Sequence, residues 1–237
     1  MFRVGQVSYL NTVPLFYKLV SFEIVKGVPS KLVKLLRKGE IQAGIVSSVE
    51  LFFNPEKYYV LPDISISSKG RVCSVKLFSK KPICEIERVS ITNASLTSRY
   101  LLHYIMEKKF NKEIFEVPEG DAKLLIGDEA MEMDRYPFIY DLGKEWYEIH
   151  RLPFVFALFL VRRDADLDKA RLLLKEVRES VKAFFEEFPR EFRDYEYYFK
   201  DCIDYSLKEE HLKALDIFFN YLSKKFKREK PKPVFLK

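Results

Sequence analysis

Apolar positions along the first fifty residues fall into two periods. Phe2–Val7, Phe22–Val25 and Ile41–Val46 are short apolar runs bounded by polar or turn residues, the pattern of buried strands. Between them, Thr12–Val20 reads as a helix that tolerates Pro14 in its first turn. Leu32, Val33, Leu35 and Leu36 form the stripe of a second helix capped by Ser30. Ser47 or Ser48 then opens a short helix carrying Val49, Leu51 and Phe52. A run of this kind predicts a parallel sheet with right-handed crossovers.

The pattern then repeats as a second unit. Val60–Ile66 and Val72–Phe78 are strand-like, and Lys80-Lys81-Pro82 reads as a linker. Arg88–Thr92 is a strand, followed by a helix over Leu96–Lys109 opened by Ser95 or Thr97. Lys123–Ile126 and Phe138–Asp141 are strands, the latter running into a helix around Trp146. The long apolar strand Phe154–Val161 carries the chain back, and Asp166–Phe188 and Leu207–Phe226 repeat apolar residues at helical spacing. The reading is an α/β chain of two lobes joined by two crossings, with C-terminal helices. One lobe comprises residues 1–79 and 160–237, the other residues 80–159. That wiring is the periplasmic-binding-protein-like (type II) fold, in which a cleft between lobes closes on a small ligand.

Composition narrows the chemistry. The chain has 237 residues, 48% hydrophobic and 32% charged, which fits a globular protein with a sizeable core. Met1–Val7 has no signal-peptide pattern, and the longest apolar run, Leu152–Val161, is too short to span a bilayer. Cys73, Cys84 and Cys202 are odd in number and lack metal or redox spacing, so they read as reduced thiols of a cytoplasmic protein. The formal net charge is +6, and the densest basic run, residues 224–232, reads as a solvated terminus. No nucleic-acid-binding signature accompanies it, and no membrane partner is expected. His103, His150 and His211 fall on helices or their ends, and no zinc, dinucleotide, P-loop or serine-hydrolase motif is present. No metal and no cofactor is expected.

Ligands of parallel sheets sit beyond the carboxyl ends of the strands. The residues there are Ser8 to Thr12, Ser47-Ser48, the stretch from Ser67 through Arg71 to Ser74, Thr92 to Ser98, and Gly127-Asp128. Nearly all are small hydroxyl or amide residues. Together with helix N-terminal amides they suit a carboxylate, although each also suits an ordinary helix cap. Arg71 offers a fork for a carboxylate, and Asp128 suits the cap of a following helix.

The string Val7-Ser8-Tyr9-Leu10-Asn11-Thr12, followed by Pro14-Leu15, resembles the N-terminal signature of the chorismate dehydratases of the futalosine route to menaquinone. Further blocks follow in order: Ala43 to Glu50, Cys73 to Ser79, Ala122 to Ala130, Tyr140 to Trp146 and Leu152 to Ala157. Two departures stand out. The family usually has proline where this chain has Ser47. Its Ser-Ser-Arg-Thr-Ser block is here Ala94-Ser95-Leu96-Thr97-Ser98, without the arginine.

The resemblance implies loss of water from chorismate, the C3 proton and the C4 hydroxyl, to leave an aromatic 3-enolpyruvyl benzoate. It implies a dianionic substrate and no cofactor. On this reading Asn11 acts at the reacting centre, Ser8 and Ser74 hold one carboxylate, and Thr97 and Ser98 hold the other. Ser47, Ser48, Arg71, Ser95 and Asp128 complete the expected contacts. No side chain is an obvious base, and the enolpyruvyl carboxylate of the substrate is a candidate. A non-catalytic binding protein, a ligand sensor, and the sister 1,4-dihydroxy-6-naphthoate synthase are the alternatives on the same fold. Oligomeric state is not legible.

Overall fold

The computed structural model describes residues 2–237. Its first sheet has six strands in the order β2 (Glu23–Gly27), β1 (Arg3–Val7), β3 (Ala43–Ser47), β10 (Phe154–Arg162), β4 (Tyr58–Ser68) and β11 (Asp204–Leu207). The second has five, in the order β7 (Phe115–Glu116), β6 (Arg88–Ile91), β8 (Ala122–Ile126), β5 (Val75–Ser79) and β9 (Phe138–Asp141). This is the expected two-lobed α/β architecture.

Neither sheet is wholly parallel, which corrects the simplest reading of the βαβ run. β1 is parallel to β2 and β3, but β10 runs antiparallel to β3 and β4. In the second sheet β5 runs antiparallel to β8 and β9. β5 and β10 are the strands that have just crossed between lobes; β11, which also runs antiparallel to β4, comes from the C-terminal segment. The chain crosses at the carboxyl ends of the parallel strands. An arriving strand therefore starts at that edge and must run away from it. Register shows this directly: Ser47, the last residue of β3, faces Ala157 near the start of β10, and Ile126, the last of β8, faces Val75, the first of β5.

The crossings fall earlier than residues 80 and 160. Val75–Ser79 belongs to the second sheet, and Phe154–Arg162 lies wholly in the first. The connecting segments are residues 69–74 and 151–153. Lys80-Lys81-Pro82 is not a linker between lobes but the turn leaving β5. It looked like one because charge and proline mark any exposed turn. All but two residues of β10 are buried, as a central strand covered on both faces requires.

The helices follow their stripes with local changes. α2 (Pro29–Lys38) starts one residue before the expected Ser30 cap, because Pro29 occupies its first turn, and it ends at Gly39 in a left-handed conformation. α1 covers only Val13–Phe16, after a 3₁₀ turn over Leu10–Thr12. The expected continuation to Val20 stops because those amides go elsewhere. Lys18 N–H donates to Ser180 Oγ at 2.8 Å, and the Val20 and Ser21 amides donate to Glu176 Oε2 at 3.2 Å. Both acceptors sit on α7 (Leu167–Glu187), which Asp166 caps. α4 (Leu96–Lys109) is capped by Ser95 as the sequence indicates, and α6 (Leu142–His150) by Asp141.

α8 (Glu209–Phe226) packs on both lobes. Phe218 meets Phe154 of β10 at 5.0 Å, while the Tyr221 hydroxyl donates to Glu107 of α4 at 2.8 Å. The basic terminus after it is not simply solvated. Leu236 is buried, and its N–H donates to the Val60 carbonyl at 2.9 Å. Lys230 pairs with Asp216 at 2.5 Å. Among the described residues no helix is long and apolar enough to cross a membrane, and no group of three or more His, Cys, Asp or Glu is placed to hold a metal ion.

Candidate functional site

The carboxyl ends of both sheets meet across one cleft. The first lobe contributes Val7, Tyr9, Asn11, Thr12, Ile45 and Ser47, with Ile66 and Phe156 as its floor. The second contributes Val75, Ser95, Ser98, Ile126 and Gly127, and Ser74 lies on the crossing between them. The wall carries apolar and neutral polar side chains and no Lys, Arg, Asp, Glu or His. An anion in this cleft is therefore met by hydroxyls, an amide and the N-terminal end of α4 rather than by a counter-charge.

The loop after β1 is shaped by Thr12. Its hydroxyl donates to Val7 O at 2.7 Å, and its N–H donates to Tyr9 O at 3.1 Å. That turn presents Tyr9 and Asn11 to the cleft and leaves Ser8 exposed outside it. Asn11 Oδ1 is buried and has no hydrogen-bond partner in the protein. A buried acceptor of this kind costs stability until a donor reaches it.

Ser74 is fixed from three directions. Asp141 accepts from the Val72 and Cys73 amides at 2.9 and 2.7 Å, while also capping α6 through Lys144 N–H. Cys73 has φ of 64°, in the left-handed region that non-glycine residues seldom adopt. Cys73 is also disulfide-bonded to Cys202, which corrects the expectation of three reduced thiols. Only the exposed Cys84 is free. The pair was invisible in spacing because 129 residues separate the partners. Finally, the Tyr198 hydroxyl donates to Ser74 Oγ at 2.9 Å.

The remaining expected residues divide. Ser95 and Ser98 line the cleft, and the Ser98 amide and hydroxyl both donate to Ser95 Oγ, at 3.2 and 3.1 Å. Ser47 lines it as well, but its hydroxyl is engaged by Thr97. Thr97 is fully buried behind the wall, where Oγ1 accepts from the Val49 amide of α3 (Ser48–Phe53) at 3.2 Å. Ser48 is equally buried and donates to Val155 O at 2.9 Å. Thr97 and Ser48 therefore fasten the lobes and lie off the cleft wall.

Arg71 is exposed and lies outside the cleft, because its linker turns outward before Asp141 captures the next two amides. Asp128 also lies outside, at the mouth. It accepts from the Leu10 amide of the opposite lobe at 3.3 Å, and burial raises its carboxyl above the usual range while that bond opposes the shift. Beside it Tyr9 faces Gly127, and burial, with Asp128 and Glu129 nearby, raises the Tyr9 phenol. With Ser47–Thr97 on one side and Leu10–Asp128 on the other, the lobes are closed on the cleft.

The histidines sit elsewhere, His103 on Glu116, His150 beside the Tyr104 hydroxyl and His211 on Asp204. Sequence reasoning missed Tyr198. It lies in a π-helical turn, Tyr198–Cys202, in a stretch with no amphipathic period to mark it.

Residues 2–224 match the family model described as menaquinone biosynthesis. The chain belongs to that family. Two relatives are named chorismate dehydratase. One, from Thermus thermophilus, is 32% identical with 75% of each chain covered. The other, from Campylobacter jejuni, is 33% identical with 65% of each covered. Among solved structures, a protein of Archaeoglobus fulgidus superposes with a TM-score of 0.72 at 19% identity, covering 94% of this chain and 97% of that one. The periplasmic aliphatic sulphonate binding protein of Escherichia coli superposes at 0.64 with 12% identity, covering 100% and 93%. These two likenesses establish the fold. Within the menaquinone biosynthesis family, the matched residues take in Asn11, Ser74, Tyr198 and both sides of the cleft.

Proposed function

We propose that this protein is a carbon–oxygen hydro-lyase that removes water from chorismate to give 3-[(1-carboxyvinyl)oxy]benzoate. The observation that carries the reading is Asn11 Oδ1, a buried acceptor without a protein partner on the wall of a cleft free of charged side chains. Family membership and the two chorismate dehydratase relatives support it. The C4 hydroxyl of the substrate is the donor that Asn11 lacks.

The chemistry asks little of the protein. The C3 proton is acidic through the conjugated ring carboxylate, and aromatisation drives the elimination. The enolpyruvyl carboxylate of the substrate takes the C3 proton. The electron pair passes into the ring carboxylate, then returns as the C4 carbon–oxygen bond breaks. The departing hydroxyl takes the proton and leaves as water. Ser74 meets one carboxylate; Ser95 and Ser98, at the positive end of α4, meet the other. Such fixed donors in a closed, largely apolar cleft stabilise developing charge more than water does. The apolar wall formed by Ile45, Ile66, Ile126 and Phe156 receives the ring.

The reading is of a cytoplasmic enzyme acting on a free dianion without a cofactor. Incubation of metal-free protein with chorismate, followed by mass and aromatic absorbance, tests it. The product is one water lighter than the substrate.

A further inference from the structure

We propose that Tyr198 is a positioning residue that makes Ser74 a hydrogen-bond donor to a carboxylate bound in the cleft. The proposal rests on reading the cleft as a carboxylate site and adds a part to it that the N-terminal blocks do not contain.

The hydrogen-bond inventory around Ser74 carries this role. A phenol has a single proton, and Tyr198 directs it to Ser74 Oγ at 2.9 Å. Ser74 Oγ is thereby used as an acceptor, and its own proton must find a partner. Among the described residues it points to Val72 O, at a long 3.4 Å, and that carbonyl already accepts the Ser74 amide at 2.7 Å. The other direction open to Ser74 is the cleft that it lines. A carboxylate arriving there offers a shorter, charge-assisted bond, and a hydroxyl that is itself receiving a hydrogen bond is the better donor.

The geometry is held at both ends. Cys73 adjoins Ser74 and Cys202 lies four residues after Tyr198, and these two cysteines are disulfide-bonded with Cα atoms 5.9 Å apart. The Tyr198 ring packs on Phe199 at 5.6 Å. Burial pushes the Tyr198 phenol well above its usual range, with hydrogen bonding to Ser74 and Asn11 only partly opposing it, so it stays protonated and has a proton to donate. Tyr198 itself does not line the cleft. It acts through Ser74.

A double-mutant cycle tests this. Tyr198→Phe removes the hydroxyl and keeps the ring. It is compared with Ser74→Ala and with the double variant. Affinity for 3-[(1-carboxyvinyl)oxy]benzoate by calorimetry and kcat/KM on chorismate are both read. Tyr198→Phe is expected to weaken binding about tenfold, Ser74→Ala at least as much, and the double variant no more than Ser74→Ala. Losses that multiply would overturn the proposal, as would wild-type affinity in Tyr198→Phe. Fluorinated tyrosine at 198 sharpens the donor without changing packing. It is expected to tighten binding, and an unchanged affinity would count against the role. If wild-type protein binds the benzoate but leaves chorismate intact, the dehydratase reading fails while the affinity cycle still decides Tyr198. If it binds neither, both fail.

Discussion

Ser47 and Thr97 cap one another across the cleft. Thr97 N–H, at the start of α4, donates to Ser47 Oγ at 3.1 Å, and Thr97 Oγ1 accepts from Val49 N–H, at the start of α3, at 3.2 Å. The two hydroxyls lie 2.5 Å apart. Two helix N-termini from different lobes thus satisfy each other's first-turn donors with one serine and one threonine. Thr97→Val keeps the shape and leaves Ser47 and the Val49 amide short of a partner. It is expected to cost about 1–3 kcal/mol in urea unfolding and to raise KM for chorismate by loosening closure. Unchanged stability and unchanged KM would show that the clasp has no role.

Gly127 closes the opposite side. Its φ is +67°, and a Cβ there would lie 2.8 Å from the ring of Tyr9. Gly127→Ala therefore meets two costs, a backbone conformation that L residues avoid and a collision with the residue that covers the cleft. The expected loss is about 1–3 kcal/mol of stability and most of the turnover. A variant as stable and active as wild type would mean that Tyr9 does not need this approach.

The Cys73–Cys202 disulfide ties the inter-lobe crossing to the turn that carries Tyr198. A link across 129 residues removes much freedom from the unfolded chain. Cys202→Ser is expected to lower stability by about 2–5 kcal/mol and to lower turnover through a less constrained Ser74. Treatment of wild type with a thiol reductant is expected to reproduce both effects. Thiol trapping before and after denaturation checks the bond itself, which is present if Cys84 alone is labelled.

Stability is expected to fall in acid through Asp204. Burial alone would raise its carboxyl, but His211 and both the hydroxyl and amide of Ser206 outweigh burial and hold it at about 2, below its ordinary 3.8. The folded state therefore binds this proton less readily than the unfolded state. The contribution is full above pH about 4 and is lost as pH falls toward 2. Urea midpoints of wild type and Asp204→Asn measured at pH 3 and pH 5.5 check this, with a smaller drop expected in the variant. An equal drop in both would assign acid sensitivity elsewhere.

Local signals in the sequence reached most of the fold. Ser95 before α4 and the apolar run of β10 identified both elements within a residue of their ends, because a cap and a two-sided buried strand are written locally. The reversed direction of β5 and β10 was not local, since it follows from where the chain crosses. The site split along the same line. Asn11, Ser47, Ser74, Ser95 and Ser98 are at strand ends that a simple rule locates, and they line the cleft. Thr97 and Ser48 satisfy the same rule, yet Thr97 Oγ1 is taken up by the Val49 amide of the facing lobe and the Ser48 hydroxyl by Val155 O of its own. Tyr198 and the disulfide depend on a segment that comes home from the far end of the chain, and no spacing near residue 74 announces it.

Wild-type protein and Asn11→Ala, incubated side by side with chorismate and followed by mass, decide whether the cleft dehydrates this substrate through Asn11. Wild type is expected to give a benzoate one water lighter than chorismate, and a folded Asn11→Ala variant a turnover lower by at least a hundredfold, about 3 kcal/mol. Intact chorismate with wild type, or full turnover with Asn11→Ala, would contradict this.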